Sequence, residues 1–393
     1  MRPAATTGAA AVGAPSAPAS QRAGQPSLDA GGQSATALVG GIRAGRPILA
    51  ATAVLLAALV IGISIGPADL SLGTMARSLV EHLPWHPDTG VAPLDAAIVW
   101  QIRLPRVLLG ALVGATLAGG GAAYQGVFRN PLADPYLLGV AAGAGLGATA
   151  IIVSGASLAL LPAAAFAGAA AAVVLTYALG AHARRLGDDT GLVGGAGPGT
   201  GAGTASILLA GIAVAALFTA AQTFLQQQHT QNLQVIYGWI LGGLTGATWS
   251  QIALIFPYVA LAAAVLLAHR RLLDVLRIGE AEAGSLGVNV PRLRLVVVVA
   301  ATVGVAAAVS VSGLIGFVGI IVPHAVRLTT GHSYRIVLPV SMIGGAAFVV
   351  LADAAARILL APAEIPLGVI TAAAGAPFFL FVLRSRRARQ GVA

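Results

Sequence analysis

Residues 103–147 read RLPRVLLGALVGATLAGGGAAYQGVFRNPLADPYLLGVAAGAGLG. Arg103 and Arg106 flank Leu104 and Pro105, and an uncharged run follows to Tyr124. The chain leaves that run through Arg129-Asn130-Pro131 and opens a second apolar run at Tyr136. A bilayer accounts for this spacing, because a spanning helix needs roughly 20 mostly apolar residues. The arginines sit at both ends of one span, so each membrane face receives its own basic motif. The segment between them, Val107 to Tyr124, is rich in small residues and is expected to pack inside a helix bundle rather than against lipid.

Working outward, the whole chain fits that class. It has 393 residues, of which 57% are hydrophobic and 9% charged, with a mean hydropathy of +0.88. Soluble domains carry about 25% charged residues. The fold class is therefore all-α: a polytopic membrane protein. Gly is abundant, with 51 residues, which suits close helix approach in lipid. There is no Cys, so disulfides and thiolate metal sites are excluded. The net charge of +9 lies on arginines placed between apolar runs, a membrane-topology pattern that gives no reason to expect nucleic acid.

Ten spans are expected, at 47–66, 105–124, 136–154, 160–180, 206–226, 251–268, 294–311, 313–329, 336–354 and 365–383. The eighth contains Gly316, Gly319 and Pro323 and reads as two half-helices, a break tolerated inside a bundle or beside a cavity. Residues 1–45 lack periodicity and read as a disordered cytoplasmic tail. Residues 46–385 form the transmembrane domain, and 386–393 form a basic cytoplasmic tail. With the N-terminus inside, 18 of the 22 arginines fall on the cytoplasmic side and both termini are cytoplasmic. An outer loop, 67–104, carries Trp85 and Trp100, rings suited to the interface. Residues 187–203 form a Gly-rich inner loop, and 227–250 read as a short outer helix and turn.

Three groups of residues stand out. In the cytoplasmic segment 272–291, Gly279 separates two short helices, and Glu280 and Glu282 begin the second. Such a segment could dock in a groove of a soluble partner or rest on lipid, and its acids disfavour an anionic leaflet. Arg103, Arg106 and Arg357 are the second group. They fall outside against the positive-inside bias and read either as a docking site for carboxylates or as helix-end arginines among headgroups. Asp353 lies one helical turn before Arg357, so the two could pair. Third, Thr219, Gln222, Thr223 and Gln226 recur at helical spacing on the fifth span, a candidate pathway lining. His229 and His324 lack metal-ligand spacing, so no metal site is expected. There is no Lys, hence no Walker lysine, so this chain cannot itself carry a standard P-loop and is not expected to be an enzyme.

Several of these stretches together resemble the FecCD-type permease subunits of type II ABC importers, which carry iron-siderophores, haem and cobalamin. The similar stretches are RLPR at 103–106, AGGGAAYQGVFRNPLADPYLLGVAAGAGLG at 118–147, LLAGIAV at 208–214 and YGWILGGLTGATW at 237–249. They continue with GEAEAGSLGV at 279–288, SGLIGFVGIIVPHAVRL at 312–328, LADAAAR at 351–357 and EIPLGVITAAAGAPFFLFVL at 364–383. The resemblance covers about residues 47–385 in order.

It implies ten helices per subunit, a second copy of the permease (a homodimer), two separate ATPase subunits and a periplasmic substrate-binding protein. ATP and Mg would sit on the ATPase, with no cofactor bound by this chain. By the same resemblance Arg103, Arg106 and Arg357 receive the binding protein. Gly279, Glu280, Glu282, Gly284, Leu286 and Gly287 couple to the ATPase. Thr204 and Ser206 mark a cytoplasmic gate, and Thr219, Gln222, Thr223, Gln226 and Thr371 line the pathway. The expected function is import of an iron complex, siderophore or haem, across a bacterial inner membrane. A corrinoid is the alternative cargo, and a secondary carrier independent of ATP is the alternative of another class.

Overall fold

The computed structural model describes residues 30–66, 68, 70–82, 90–190 and 202–390, with side chains over 45–66, 68, 70–82, 90–183 and 205–380. The chain divides into two units, Met1–Arg43 and Ala44–Ala393. The expected tail over 1–45 lies outside the described residues as far as residue 29. Residues 191–201 of the Gly-rich loop, Trp85 and residues 391–393 also lie outside them.

All regular structure among the described residues is helical. In chain order the α-helices are α1 (Ala30–Ser64), α2 (Leu72–Glu81), α3 (Pro93–Ala97), α4 (Leu104–Val127), α5 (Val140–Ser154), α6 (Leu161–Thr190) and α7 (Ala202–Gln228). They continue as α8 (Leu233–Ile240), α9 (Trp249–Leu276), α10 (Glu280–Ser285), α11 (Val290–Ser312), α12 (Val318–Thr330), α13 (Tyr334–Ile358) and α14 (Leu367–Gln390). Among the described residues seven stretches are long and apolar enough to cross a membrane, and three shorter apolar helices, Val140–Ser154, Val318–Thr330 and Leu367–Leu380, fall at the other expected spans.

Helix α4 is the axis of the bundle. It packs on α13, α11, α9 and α12 and is buried along nearly all of its length, as its small-residue composition predicts. A Cβ on Gly114 would lie 2.1 Å from the carbonyl oxygen of Gly345 in α13, so the two backbones touch where lipid offers no hydrophobic drive for association. Gly121 repeats the device, its Cβ position lying 2.0 Å from the carbonyl oxygen of Gly319. A second group forms where α5 packs on α6 and α7.

The eighth span differs from the expected pair of half-helices. Residues 313–317 are non-helical and α12 is one helix with Pro323 inside it. Irregular backbone in a membrane bundle needs partners from within the protein, and it has them. Tyr136 Oη donates to Ile315 O (3.1 Å) and accepts from Ile315 N (3.3 Å), while Gln125 Nε2 donates to Gly319 O (3.0 Å). The segment 272–291 also differs. Its first half simply continues α9, and only α10 is a separate short helix.

Candidate functional site

The two ends of α4 carry the charged groups. At its start Arg106 holds two carboxylates at once. Its Nε donates to Asp353 Oδ1 and Oδ2 (both 3.0 Å) and its Nη2 to Asp353 Oδ1 (2.8 Å). Its Nη1 and Nη2 also donate to Glu364 Oε1 and Oε2, both at 2.9 Å. This uses the planar fork that Lys lacks. Asp353 shares its other oxygen with Arg357 Nε at 3.1 Å, one turn later on α13, the pairing expected from their spacing. The Arg106 hydrogen bonds hold the Glu364 carboxylate below the ordinary glutamate range, and Thr245 Oγ1 adds a further bond of 3.0 Å.

Arg103 and Arg357 close the end of α1. The last carbonyls of a helix have no partner within it. Arg103 Nη1 donates to Ile63 O (2.8 Å) and Ser64 O (2.9 Å). Arg357 Nη2 donates to Gly62 O (2.9 Å), and its Nη1 reaches Ile65 O. All three arginines are buried, at 3% (Arg103), 6% (Arg106) and 5% (Arg357) exposure. Their charge satisfies carboxylates and carbonyls of the same chain. The accessible group is Glu364, which lines a cleft of about 140 Å³ together with Arg106 and Thr245. Their i, i+4 spacing paired Asp353 with Arg357, and nothing in the sequence assigned a partner to Glu364.

Beside this cluster, Trp100 stacks on His82, with centroids 4.1 Å apart, and lies 6.1 Å from Trp249. The Trp249 indole donates to Trp100 O (2.9 Å) and that of Trp100 to Ser78 O (3.0 Å). Amphipathic rings of this kind mark a membrane–water boundary.

At the opposite end, α10 is a one-and-a-half-turn stub held at both termini. Glu280 Oε1 accepts from Arg294 Nη2 of α11 at 2.6 Å. At the other terminus Gly287 adopts φ 82°, with Gly287 N donating to Gly284 O and Val288 N to Ala283 O. That is the Schellman arrangement, for which a left-handed glycine is suited. Ala283 is fully buried beneath the stub. Glu282, Gly284 and Leu286 are exposed, Leu286 by 66% and neighbouring Ile278 by 65%. The two glutamates therefore do different things: Glu280 fastens the stub to Arg294, and Glu282 is exposed with its carboxylate folded back against Gly279.

The remaining expected positions separate. Thr204 lies within α7, its side chain outside the described residues, and Ser206 is half-buried on the same helix. The polar stripe of α7 does not meet one environment. Thr219 and Thr223 are exposed, with Thr223 Oγ1 donating to Thr219 O (2.9 Å), and Gln226 is half-buried. Gln222 instead turns onto Gly145 of α5 and is buried. Thr371 is fully buried with its hydroxyl on Gly368 O (3.1 Å). The exposed face of α7 is otherwise apolar, with Leu209, Ile212, Leu217 and Phe224 each about 60% open. Among the described residues no group of three His, Asp or Glu could hold a metal ion. His229 Nδ1 lies 3.1 Å from Leu225 O.

The bundle and its two charged ends have counterparts. The model of the FecCD transport family matches residues 54–385. The chain belongs to the FecCD transport family. It is 44% identical over 301 residues to the cobalamin import system permease protein BtuC of Halobacterium salinarum, covering 76% of this chain and 77% of that one. It is 38% identical over 331 residues to the hemin transport system permease protein HmuU of Yersinia pestis, covering 84% and 92%. The fold matches a solved metal-chelate type ABC transporter in an inward-facing conformation with a TM-score of 0.73 and 30% identity, over 87% of this chain and 99% of that one. This FecCD chain is thus an ABC importer permease.

Proposed function

We propose that this permease carries a bulky metal chelate into the cell across a bacterial inner membrane, driven by two separate ATPase subunits and fed by a periplasmic binding protein. The observation that carries the reading is α10: a stub fixed from behind by Glu280–Arg294 that leaves Glu282, Leu286 and Ile278 exposed. A rigid exposed element with one acid between apolar residues suits a groove on a soluble partner better than an anionic leaflet. ATP and Mg²⁺ belong to that partner, and this chain supplies gates and shape. The end bearing Arg106 faces outward and both termini face the cytoplasm, in keeping with the arginine asymmetry.

The exposed apolar face of α7 covers a second copy of the chain, and Thr219, Thr223 and Gln226 line the passage between the copies. Thr204 and Ser206 at the inner start of α7 form its gate. At the outer face, a carboxylate of the binding protein takes the place of Glu364 on Arg106, the one partner of that guanidinium open to solvent. Arg103 and Arg357 keep the seat rigid.

For the cargo, the leading reading is an iron complex, siderophore or haem, supported by likeness to HmuU and to the Fe(3+)-citrate import system permease protein YfmE of Bacillus subtilis, 34% identical over 295 residues. The 44% identity to a cobalamin import permease favours a corrinoid as the second reading. Uptake assays in proteoliposomes holding the permease, its ATPase and its binding protein decide between them. ATP-dependent accumulation of haem or a ferric siderophore supports the first, accumulation of cyanocobalamin alone supports the second, and uptake that persists without the ATPase overturns both.

A further inference from the structure

Where α4, α9 and α12 end near the start of α13, they line a cleft of about 370 Å³ to which α10 contributes no residue. Arg129, Arg277 and Arg327 line it with His324 and His332, and none of the residues described in its wall is a carboxylate. The neighbouring acid, Asp274, is committed elsewhere. It accepts from Ser333 Oγ (2.7 Å) and Tyr334 N (2.6 Å) at the start of α13 and lies 4.0 Å from Arg335. Arg327 is held in place by Gln125 Oε1 and by Tyr334 Oη at 3.3 Å. Arg129 and Arg277 are exposed and, among the described residues, make no ion pair.

Three guanidiniums converging on one cleft without a counter-charge repel one another, and an anion between them removes that repulsion. The backbone gives a second, independent pointer. Arg129 adopts φ 49° just after the end of α4, a left-handed position that usually goes to Gly. Strained conformations of this kind gather at ligand sites, where the surroundings hold them. An arginine in the glycine's place brings a guanidinium to the mouth of the cleft. The cleft also has an apolar lip: Leu328 is 69% exposed and Leu132, next to Pro131 of its wall, is 57% exposed. A cationic hollow beside bare leucines at the end of a membrane bundle fits an amphiphile, and the volume exceeds that of a bare phosphate.

We propose that this cleft binds a phosphate-bearing anion, the headgroup of an anionic phospholipid of the adjoining leaflet. Basic pockets between spanning helices on the cytoplasmic side recognise such headgroups. The inference needs the membrane placement of the bundle and is independent of the cargo and of ATPase docking.

The test uses the detergent-purified full-length permease with phosphatidylglycerol, phosphatidylcholine or inorganic phosphate. Retained lipid is read by native mass spectrometry and thermal stability by a fluorescence melt. The wild type should retain phosphatidylglycerol over phosphatidylcholine. Arg129→Gln/Arg277→Gln should lower phosphatidylglycerol retention roughly tenfold, for the loss of charge-assisted bonds. Both side chains are exposed, so the variant should melt with the wild type in the absence of lipid. If inorganic phosphate alone raises the melting temperature of the wild type and not of the variant, the phosphate chemistry holds and its source is the free anion. Equal phosphatidylglycerol retention by wild type and variant, with neither ligand shifting the melt, overturns the proposal.

Discussion

Arg106 and Glu364 meet in a two-pronged pair, both N–O distances 2.9 Å, across 258 residues of sequence. The same guanidinium grips Asp353 from its other edge. The two carboxylates are not equivalent: the Asp353 side chain is 3% exposed and that of Glu364 is 29% exposed. One acid belongs to the core of the fold, and the other stands at the door. This end of the bundle is therefore a built structure with one carboxylate open to solvent.

Asp353→Asn should leave Arg106 and Arg357 sharing a neutral partner in a buried site. Removing one member of a buried ion pair costs about 3–5 kcal/mol. A fluorescence melt in detergent should show a clear drop and a loosened α1 end, because Arg357 also caps Gly62 and Ile65. A melt within 1 °C of wild type would mean the cluster holds nothing together.

Glu364→Gln should destabilise much less, by about 1 kcal/mol, as expected for a partly solvated pair. If a binding-protein carboxylate replaces Glu364, this variant should bind that protein about tenfold more tightly, equivalent to about 1.4 kcal/mol. Titration by surface plasmon resonance reads it directly, and weaker binding would contradict the exchange. The sign of the pH dependence follows from the lowered Glu364 pKa. A depressed carboxylate contributes fully above its unfolded value and loses that contribution as pH falls through its folded one. Docking should be flat from about pH 5.5 to 8 on this account.

Gly114→Ala places a methyl carbon 2.1 Å from the Gly345 carbonyl oxygen. Backbone atoms cannot rotate away as a side chain can, so α4 and α13 must separate. Overpacking of this kind costs about 1–3 kcal/mol. Size-exclusion profiles and melts should deteriorate together, whereas Gly246→Ala, with no atom within 4 Å of its Cβ position, serves as the silent control.

The sequence alone exposed much of this architecture. Arg103 to Gly147 announces a span, a turn and a second span because bilayer thickness imposes its own length on apolar runs. The burial of α4 was legible from its glycines. The Asp353–Arg357 pair was legible because helical spacing is local. Arg106–Glu364 was not, since no local period joins residues so far apart. Nor was the inward turn of Gln222, which depends on Gly145 leaving room for it on α5. Glu280 and Glu282 look alike in sequence, and only Arg294 on the next helix separates them.

Asp134 offers a pH test at the turn between α4 and α5. Burial pushes its carboxyl up to about 6, against the opposing effect of the bond it accepts from Tyr136 N at 2.8 Å. A raised carboxyl binds its proton more tightly folded than unfolded, so stability should fall as pH rises from about 4 to 6 and level off above. Asp134→Asn keeps the acceptor and removes the charge. Its stability should exceed wild type by about 2–3 kcal/mol at pH 7.5 and match it near pH 4. Parallel curves for the two proteins would show that the carboxylate is well solvated.

The central claim is that α10 transmits work from a separate ATPase, with Glu282 as the exposed contact and Glu280 as its internal anchor. The most direct measurement is binding-protein-stimulated ATP hydrolysis by the reconstituted complex carrying Glu282→Arg, beside the melt of the permease alone. The Glu282→Arg permease should melt within about 0.5 kcal/mol of wild type, as for an exposed substitution, and should have lost both ATPase retention and stimulation. Glu280→Gln should instead lower stability by about 1–3 kcal/mol through its lost bond to Arg294. Wild-type stimulation and transport by Glu282→Arg would contradict the claim.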